Sequence, residues 1–188
     1  MPNWTANKLR IIAKTDEAKA LLPRLLNGFQ AKVDYDECAF EVIDPTPQEL
    51  LNNQSPINDD AKGTTFFQKY GATDWYDWRV KNWGTKWESN NDSVEEIENG
   101  LIAAFDTAWS PPISIYEKLQ AKGFDVFATY IECGMMFAGI WENGVNAELE
   151  VFVPNVEGDE FPFEDGQLVL RKTFQDMSED LTPNHLGG

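Results

Sequence analysis

Leu101–Val153 reads LIAAFDTAWSPPISIYEKLQAKGFDVFATYIECGMMFAGIWENGVNAELEVFV, and its punctuation decides the fold. Leu101–Thr107 is an apolar run that predicts a strand. Ser110-Pro111-Pro112 predicts a helix start, with a hydroxyl N-cap followed by proline at the first helical position. Ile113, Tyr116 and Leu119 then recur at three-residue spacing, with Glu117, Lys118 and Gln120 as the polar side, until Gly123 stops the helix. Three closely spaced strands follow, over Phe124–Ile131, Met135–Trp141 and Val145–Val153. Cys133-Gly134 and Asn143-Gly144 supply the tight turns, and Asn-Gly between apolar runs is a strong hairpin signal.

Working back from that block, Asn7–Ala13 alternates as a strand, with Leu9, Ile11 and Ala13 on one face and Lys8, Arg10 and Ile12 on the other. Thr15 can cap a helix whose first turn holds Asp16 and Glu17. Ala18, Leu21, Leu22, Leu25 and Leu26 keep helical spacing. Pro23 predicts a kink or restart, and Asn27-Gly28 predicts the stop. Cys38, Phe40 and Val42 alternate as a second strand, ended by Asp44-Pro45-Thr46-Pro47. Residues 48–63 are a polar, broken excursion. A short helix over Asp74–Trp83 follows Thr73, with Asp77 and Lys81 as an i,i+4 pair, and residues 88–100 are polar and acidic.

The element order predicts an α+β fold: a ferredoxin-like split β-α-β sandwich with an antiparallel meander and a Trp-rich helical insertion at about 48–100. That domain takes residues 1–153. Residues 154–188 form an acidic C-terminal extension, with one short element expected near Gln167–Thr173.

Charge narrows the function classes. The 188 residues carry 32 Asp+Glu against 15 Lys+Arg, a formal charge of −17. General duplex-DNA binding needs a basic footprint and is excluded. The charge is uneven, at −11 over residues 123–188 but +2 over residues 68–87. Cys38 and Cys133 lie far apart and outside any C-x-x-C, which excludes a disulfide scaffold or zinc ribbon and suits a reducing compartment. No secretory signal is read at the N-terminus, and the longest apolar stretch, Gly134–Trp141, is far too short to span a bilayer. The expectation is a cytoplasmic protein.

Three stretches carry a resemblance: MPNW at the start followed by Asn7, YGATDWYDWRVKNWGTKW over Tyr70–Trp87, and FDTAWSPP over Phe105–Pro112. Together they resemble the YubB-type, Api-like proteins of plasmids and phages, a family of unknown function with a ferredoxin-like domain. IDPTPQEL over Ile43–Leu50 fits that family's proline-containing loop. The resemblance covers roughly residues 1–153. Family members often begin MPNWC, and Thr5 here replaces that cysteine. The resemblance implies a mobile-element setting in a bacterial host and a fold, but no activity.

The Trp-rich run holds the candidate site. Trp75, Trp78, Trp83 and Trp87, with Arg79, Lys81 and Lys86 interleaved, could form a stacking platform beside positive charge. Equally, they could seal a helix onto the sheet. Thr85 and Lys86 are read as exposed anion candidates, and Asp106, Thr107 and Trp109 lie where a strand ends and a helix begins. If the two motifs meet, Trp78, Arg79, Lys86, Trp87, Asp106, Thr107 and Trp109 line the candidate ligand pocket. Asp106 could instead brace an indole or pair with Lys86.

Enzyme signatures are mostly absent: there is no nucleophile elbow, phosphate loop, dinucleotide fingerprint or zinc motif, and His185 stands alone near the end. No metal or cofactor is expected. The sequence predicts a non-catalytic binder of a host macromolecule through its acidic surface, such as a basic nucleic-acid-handling protein, in counter-defence or nucleic-acid mimicry. The alternative is a small-ligand, nucleotide or single-stranded nucleic-acid module using the Trp/Arg/Lys cluster.

Overall fold

The computed structural model describes residues 3–30, 37–132 and 134–149. In chain order the elements are β1 (Trp4–Ala13), α1 (Asp16–Gln30), α2 (Ala39–Ile43), α3 (Gln48–Leu51), α4 (Asp60–Tyr70), α5 (Trp75–Trp83), β2 (Asn90–Ile97), β3 (Gly100–Ala108), α6 (Ile113–Ala121), β4 (Phe124–Glu132), β5 (Phe137–Glu142) and β6 (Val145–Leu149). The sheet order is β2-β3-β1-β4-β5-β6, and each neighbouring pair is antiparallel. β1 and β2 therefore run parallel with β3 between them, as do β3 and β4 with β1 between them. This is the α+β, split β-α-β arrangement, extended at one side by the β4-β5-β6 meander. Residues 150–153 of the third predicted meander strand, Cys133, His185 and the acidic extension lie outside the described residues.

One sheet face carries the helices. Thr5, Asn7, Leu9, Ile11 and Ala13 are buried while Lys8, Arg10 and Ile12 stay half-exposed, the alternation expected of a half-covered strand. Leu9 stands opposite Ala103 and Ala128 on the same face. Leu25, Phe29, Ile115 and Leu119 from α1 and α6 join the core over it. Phe40 stands edge-on to Trp83 and to Phe105, at ring-centroid distances of 5.7 and 5.8 Å, which links the helical insertion to β3.

The second strand lies elsewhere than its alternation suggested. Cys38–Val42 contributes to α2, a helix buried at all five positions, so apolar spacing there carries no facing information. The strand in that place in the topology is β2, whose Asp92, Glu95 and Glu96 are exposed. It is an edge strand, and charge on an edge is a common protection rather than an argument against strand. The helices of the insertion thus lie between α1 and β2. The polar excursion is also ordered into α3 and the start of α4. Met135 and Met136 belong to the turn before β5, with the Glu132 carboxylate accepting from the amides of Gly134 (2.7 Å) and Met135. Asn143 and Gly144 take φ of 41° and 94° and make the expected hairpin turn.

Helix α1 contradicts two punctuation signals. It continues through Pro23 and past Asn27-Gly28 to Gln30. Thr15 does act at its start, where Oγ1 accepts from the Ala18 amide at 3.1 Å. Gly28 is buried inside the helix because α2 crosses there: a Cβ on it would lie 2.8 Å from both the Cα and the N of Ala39. Glycine at this position serves close approach, not helix termination. Intrinsic propensity would make Gly28→Ala stabilising by about 1 kcal/mol. The backbone clash predicts the opposite, a loss of about 1–3 kcal/mol, readable by denaturant unfolding. An unchanged or higher midpoint would exclude the close packing.

Candidate functional site

The Trp-rich helix splits the expected pocket into an interior half and a surface half. α5 begins at an Asp74 N-cap, whose side chain accepts from the Asp77 amide at 3.0 Å, and ends at Gly84 with φ of 85°. Asp77 accepts from Thr73 and Lys81 donates to the Gly71 carbonyl, so each member of the expected i,i+4 pair has another partner.

Trp78, Arg79 and Trp83 face inward and are buried. The Arg79 guanidinium donates to the Glu41 carboxylate at 2.7 Å and to Thr46 Oγ1 at 3.0 Å. Its carbon sits 4.5 Å from the Trp83 ring centroid and 5.3 Å from that of Trp75. Glu41 accepts further from the Thr46 amide and hydroxyl, at 2.6 and 2.7 Å. Breaking one side of such a buried pair costs about 3–5 kcal/mol, because the other charge is stranded. The Trp83 indole donates to the Asp44 carbonyl at 2.9 Å, so this indole is braced by backbone rather than by Asp106. Arg79 thus braces α2 against α5 in the interior, with Trp78 buried edge-on to Trp83 beside it.

After Gly84 the chain comes out to the surface. Thr85, expected to be exposed, is buried with its hydroxyl donating to the Ala108 carbonyl at 3.0 Å, which pins the loop to the end of β3. The Lys86 ammonium then lies 3.8 Å from the Trp87 ring centroid and 3.7 Å from that of Trp109. Trp4 completes the group, tilted against Trp87 at 6.0 Å. The three indoles are 40% (Trp4), 39% (Trp87) and 47% (Trp109) exposed. Trp109 holds φ of 72°, left-handed and costly for a bulky residue, and its amide donates to the Asn3 carbonyl at 2.9 Å. Met135 and Met136 are exposed on the β4–β5 turn, where Gly134 abuts the Asn3 side chain. The rim is therefore built from the start of β1, the loop after α5 and the end of β3.

Thr107 separates from that rim. Thr107 is buried; its hydroxyl accepts from Asn7 Nδ2 at 2.9 Å and donates to the Ser110 carbonyl at 2.7 Å. Asn7 also accepts from the Tyr116 hydroxyl at 3.0 Å, joining β1, β3 and α6. Asp106 alternates onto the sheet face opposite to Thr107, the open face that Ala6 and Trp4 share, paired in register with Ala6 and Asn90. Ser110 does not cap α6; its hydroxyl donates to the Gly84 carbonyl at 2.5 Å, and the Ile113 and Ile115 amides bond to Pro111 and Pro112 carbonyls. Sequence reasoning missed Trp4 as a site residue, although continuing the β1 alternation places it off the buried face. Among the described residues, no group of three or more His, Cys, Asp or Glu is placed to hold a metal ion, and no helix is long and apolar enough to cross a membrane.

No family model and no curated protein matches the chain. Among solved structures it is similar to the crystal structure of a protein Api92 from Yersinia pseudotuberculosis, assigned to the family model DUF1281. The likeness has a TM-score of 0.40 and 10% identity, and covers 81% of this chain and 100% of that one. At that distance the split β-α-β order rests on the strand pairing alone, and the family remains a resemblance.

Glu88 adjoins the rim and ties it to α2. Its carboxylate accepts from the Phe40 amide at 2.9 Å, the Glu41 amide at 3.2 Å and the Ser89 amide at 3.0 Å. Enclosure of the carboxyl pushes its pKa up to about 7, against the pull of those three amides, with the nearby Glu41 charge adding to the rise. A raised folded value means that the stability contributed by Glu88 is fully present below its ordinary value of 4.5 and is lost as pH rises through about 7. The unfolding free energy of Glu88→Gln relative to the parent should therefore climb over that window and level off above it. Parallel pH profiles for the two proteins would refute the assignment.

Proposed function

We propose that the chain is a non-catalytic binding module that captures a host protein, with the Trp4–Trp87–Trp109 rim as its contact surface. The observation that carries this is the grouping of three part-exposed indoles around one lysine, beside two exposed methionines. Tryptophan is the residue most enriched where binding energy concentrates, and methionine adapts to varied apolar surfaces. Arg79 and Thr107, two polar residues of the expected pocket, are engaged in holding the fold. The formal charge of −17 speeds encounter with a basic partner, such as a nucleic-acid-handling protein. The resemblance to plasmid and phage proteins supports a counter-defence role in the host cytoplasm.

A second reading, nucleotide or single-stranded nucleic-acid binding, is favoured by the position of Lys86 between two aromatic faces. Pull-down of the tagged full chain from bacterial lysate, compared with the Trp4→Ala/Trp109→Ala variant, separates the two. The first reading expects a basic protein captured by the parent and lost from the variant, at about 2 kcal/mol or more for a central tryptophan. Unchanged thermal unfolding would show that the loss is local. Capture that is equal in the two proteins would refute the rim. Fluorescence quenching by oligonucleotides, abolished by Lys86→Ala, would favour the second reading.

A further inference from the structure

The sheet face turned away from the helices does not look like a face in water. Ile102, Thr129, Ile131 and Ala138 are buried, and their register with Arg10, Lys8 and Ala6 places them on that face. None of them joins the core that α1 and α6 cover. Ile12, Phe127 and Ile140 lie half-buried around them. A solvated face of an antiparallel sheet is normally polar, so this one calls for a cover.

Thr129 lacks something that a cover would supply. Its side chain is wholly enclosed between Lys8 and Ile140 in the register, and its Oγ1 has no hydrogen-bond partner. A buried hydroxyl left in that state costs about 1–3 kcal/mol. Beside it, Lys8 and Arg10 bring two positive charges to the middle of the same face, and the Arg10 guanidinium carbon lies 5.7 Å from the Phe127 ring centroid.

The chain carries a segment that matches this face. Residues 150–188 follow β6, the edge strand, and hold nine Asp and Glu against two Lys and Arg. Among them EGDEFPFED, residues 157–165, sets Phe161 and Phe163 two positions apart amid five carboxylates. That spacing turns both rings to one side of an extended segment. β1 stands three strands from β6, about 14 Å, and the eight residues from Leu149 to Glu157 reach about 26 Å when extended. We infer that residues 157–165 dock on the helix-free face of their own sheet, with Phe161 and Phe163 against Phe127 and Ile140 and the carboxylates at Lys8 and Arg10. A main-chain group of the segment then reaches Thr129 Oγ1. Part of the C-terminal negative charge is thereby neutralised within the molecule and is not presented to partners. The inference does not rest on the tryptophan rim.

Zero-length carbodiimide coupling of the full chain, read by peptide mass spectrometry, tests the docking. An amide should form between Lys8 Nζ and a carboxylate of residues 157–165, with loss of water. Lys19 on α1, whose side chain is 53% exposed on the helix side, should couple to the same segment about tenfold less, because docking raises the local concentration only at Lys8. Phe161→Ser/Phe163→Ser should lower the Lys8 product by about fivefold or more, since the apolar part of the contact is lost. Trp109→Ala should leave it unchanged, so failure here is distinct from failure of the rim. Equal coupling to Lys8 and Lys19, or a Lys8 product indifferent to the serine pair, would overturn the docking in favour of general attraction between an acidic segment and lysines. Absence of any Lys8 product would overturn it as well. Products found only between isotope-labelled and unlabelled chains in a mixture would overturn the intramolecular occupant in favour of a second copy.

Discussion

The buried contact between Arg79 and Glu41 is the constraint on which the placement of the helical insertion rests. Two charges are taken out of water there, and the cost is offset only because Thr46 supplies two donors and an acceptor while Trp75 and Trp83 flank the guanidinium. The geometry leaves little freedom. It sets α5 against α2, and through Phe40 and Trp83 it sets both against β3. The Gly84 turn, and with it Lys86 and Trp87, emerge where that packing directs them.

A second polar connection works at the end of β3. Asn7 joins Thr107 and Tyr116, so the first strand is tied to the end of β3 and to α6 at the same point where Trp4 and Trp109 turn outward. The rim tryptophans thus stand on a rigid base. A contact surface supported in this way loses less entropy on binding than one carried by a loose loop.

What was legible in the sequence follows the physics of each signal. β1, α6 and the meander were read because a half-buried element shows its period, and Asn143-Gly144 has few uses other than a hairpin. α2 was misread because a helix buried on every side has no period to show. β2 was missed because an edge strand with acidic side chains resembles a loop. Gly28 and Pro23 are ambiguous residues whose meaning is set by what packs against them, and in the case of Gly28 that is the Ala39 backbone. At the site, residue types pointed to the Trp-rich run and to the strand end at Trp109, but spacing alone could not separate the inward Trp78 and Arg79 from the outward Trp87.

The sheet order also fixes a timetable for synthesis. β1 leaves the ribosome before its two neighbours, β3 and β4, which begin at Gly100 and Phe124. At about 5–20 residues per second, its partners follow only after roughly 5–20 s. During that interval the nascent chain carries an unpaired strand with Leu9 and Ile11 uncovered, while only the intervening helices can form. Chaperone occupancy of the first strand would therefore be governed by translation speed through the helical insertion, a demand set by topology rather than by the stability of the finished protein.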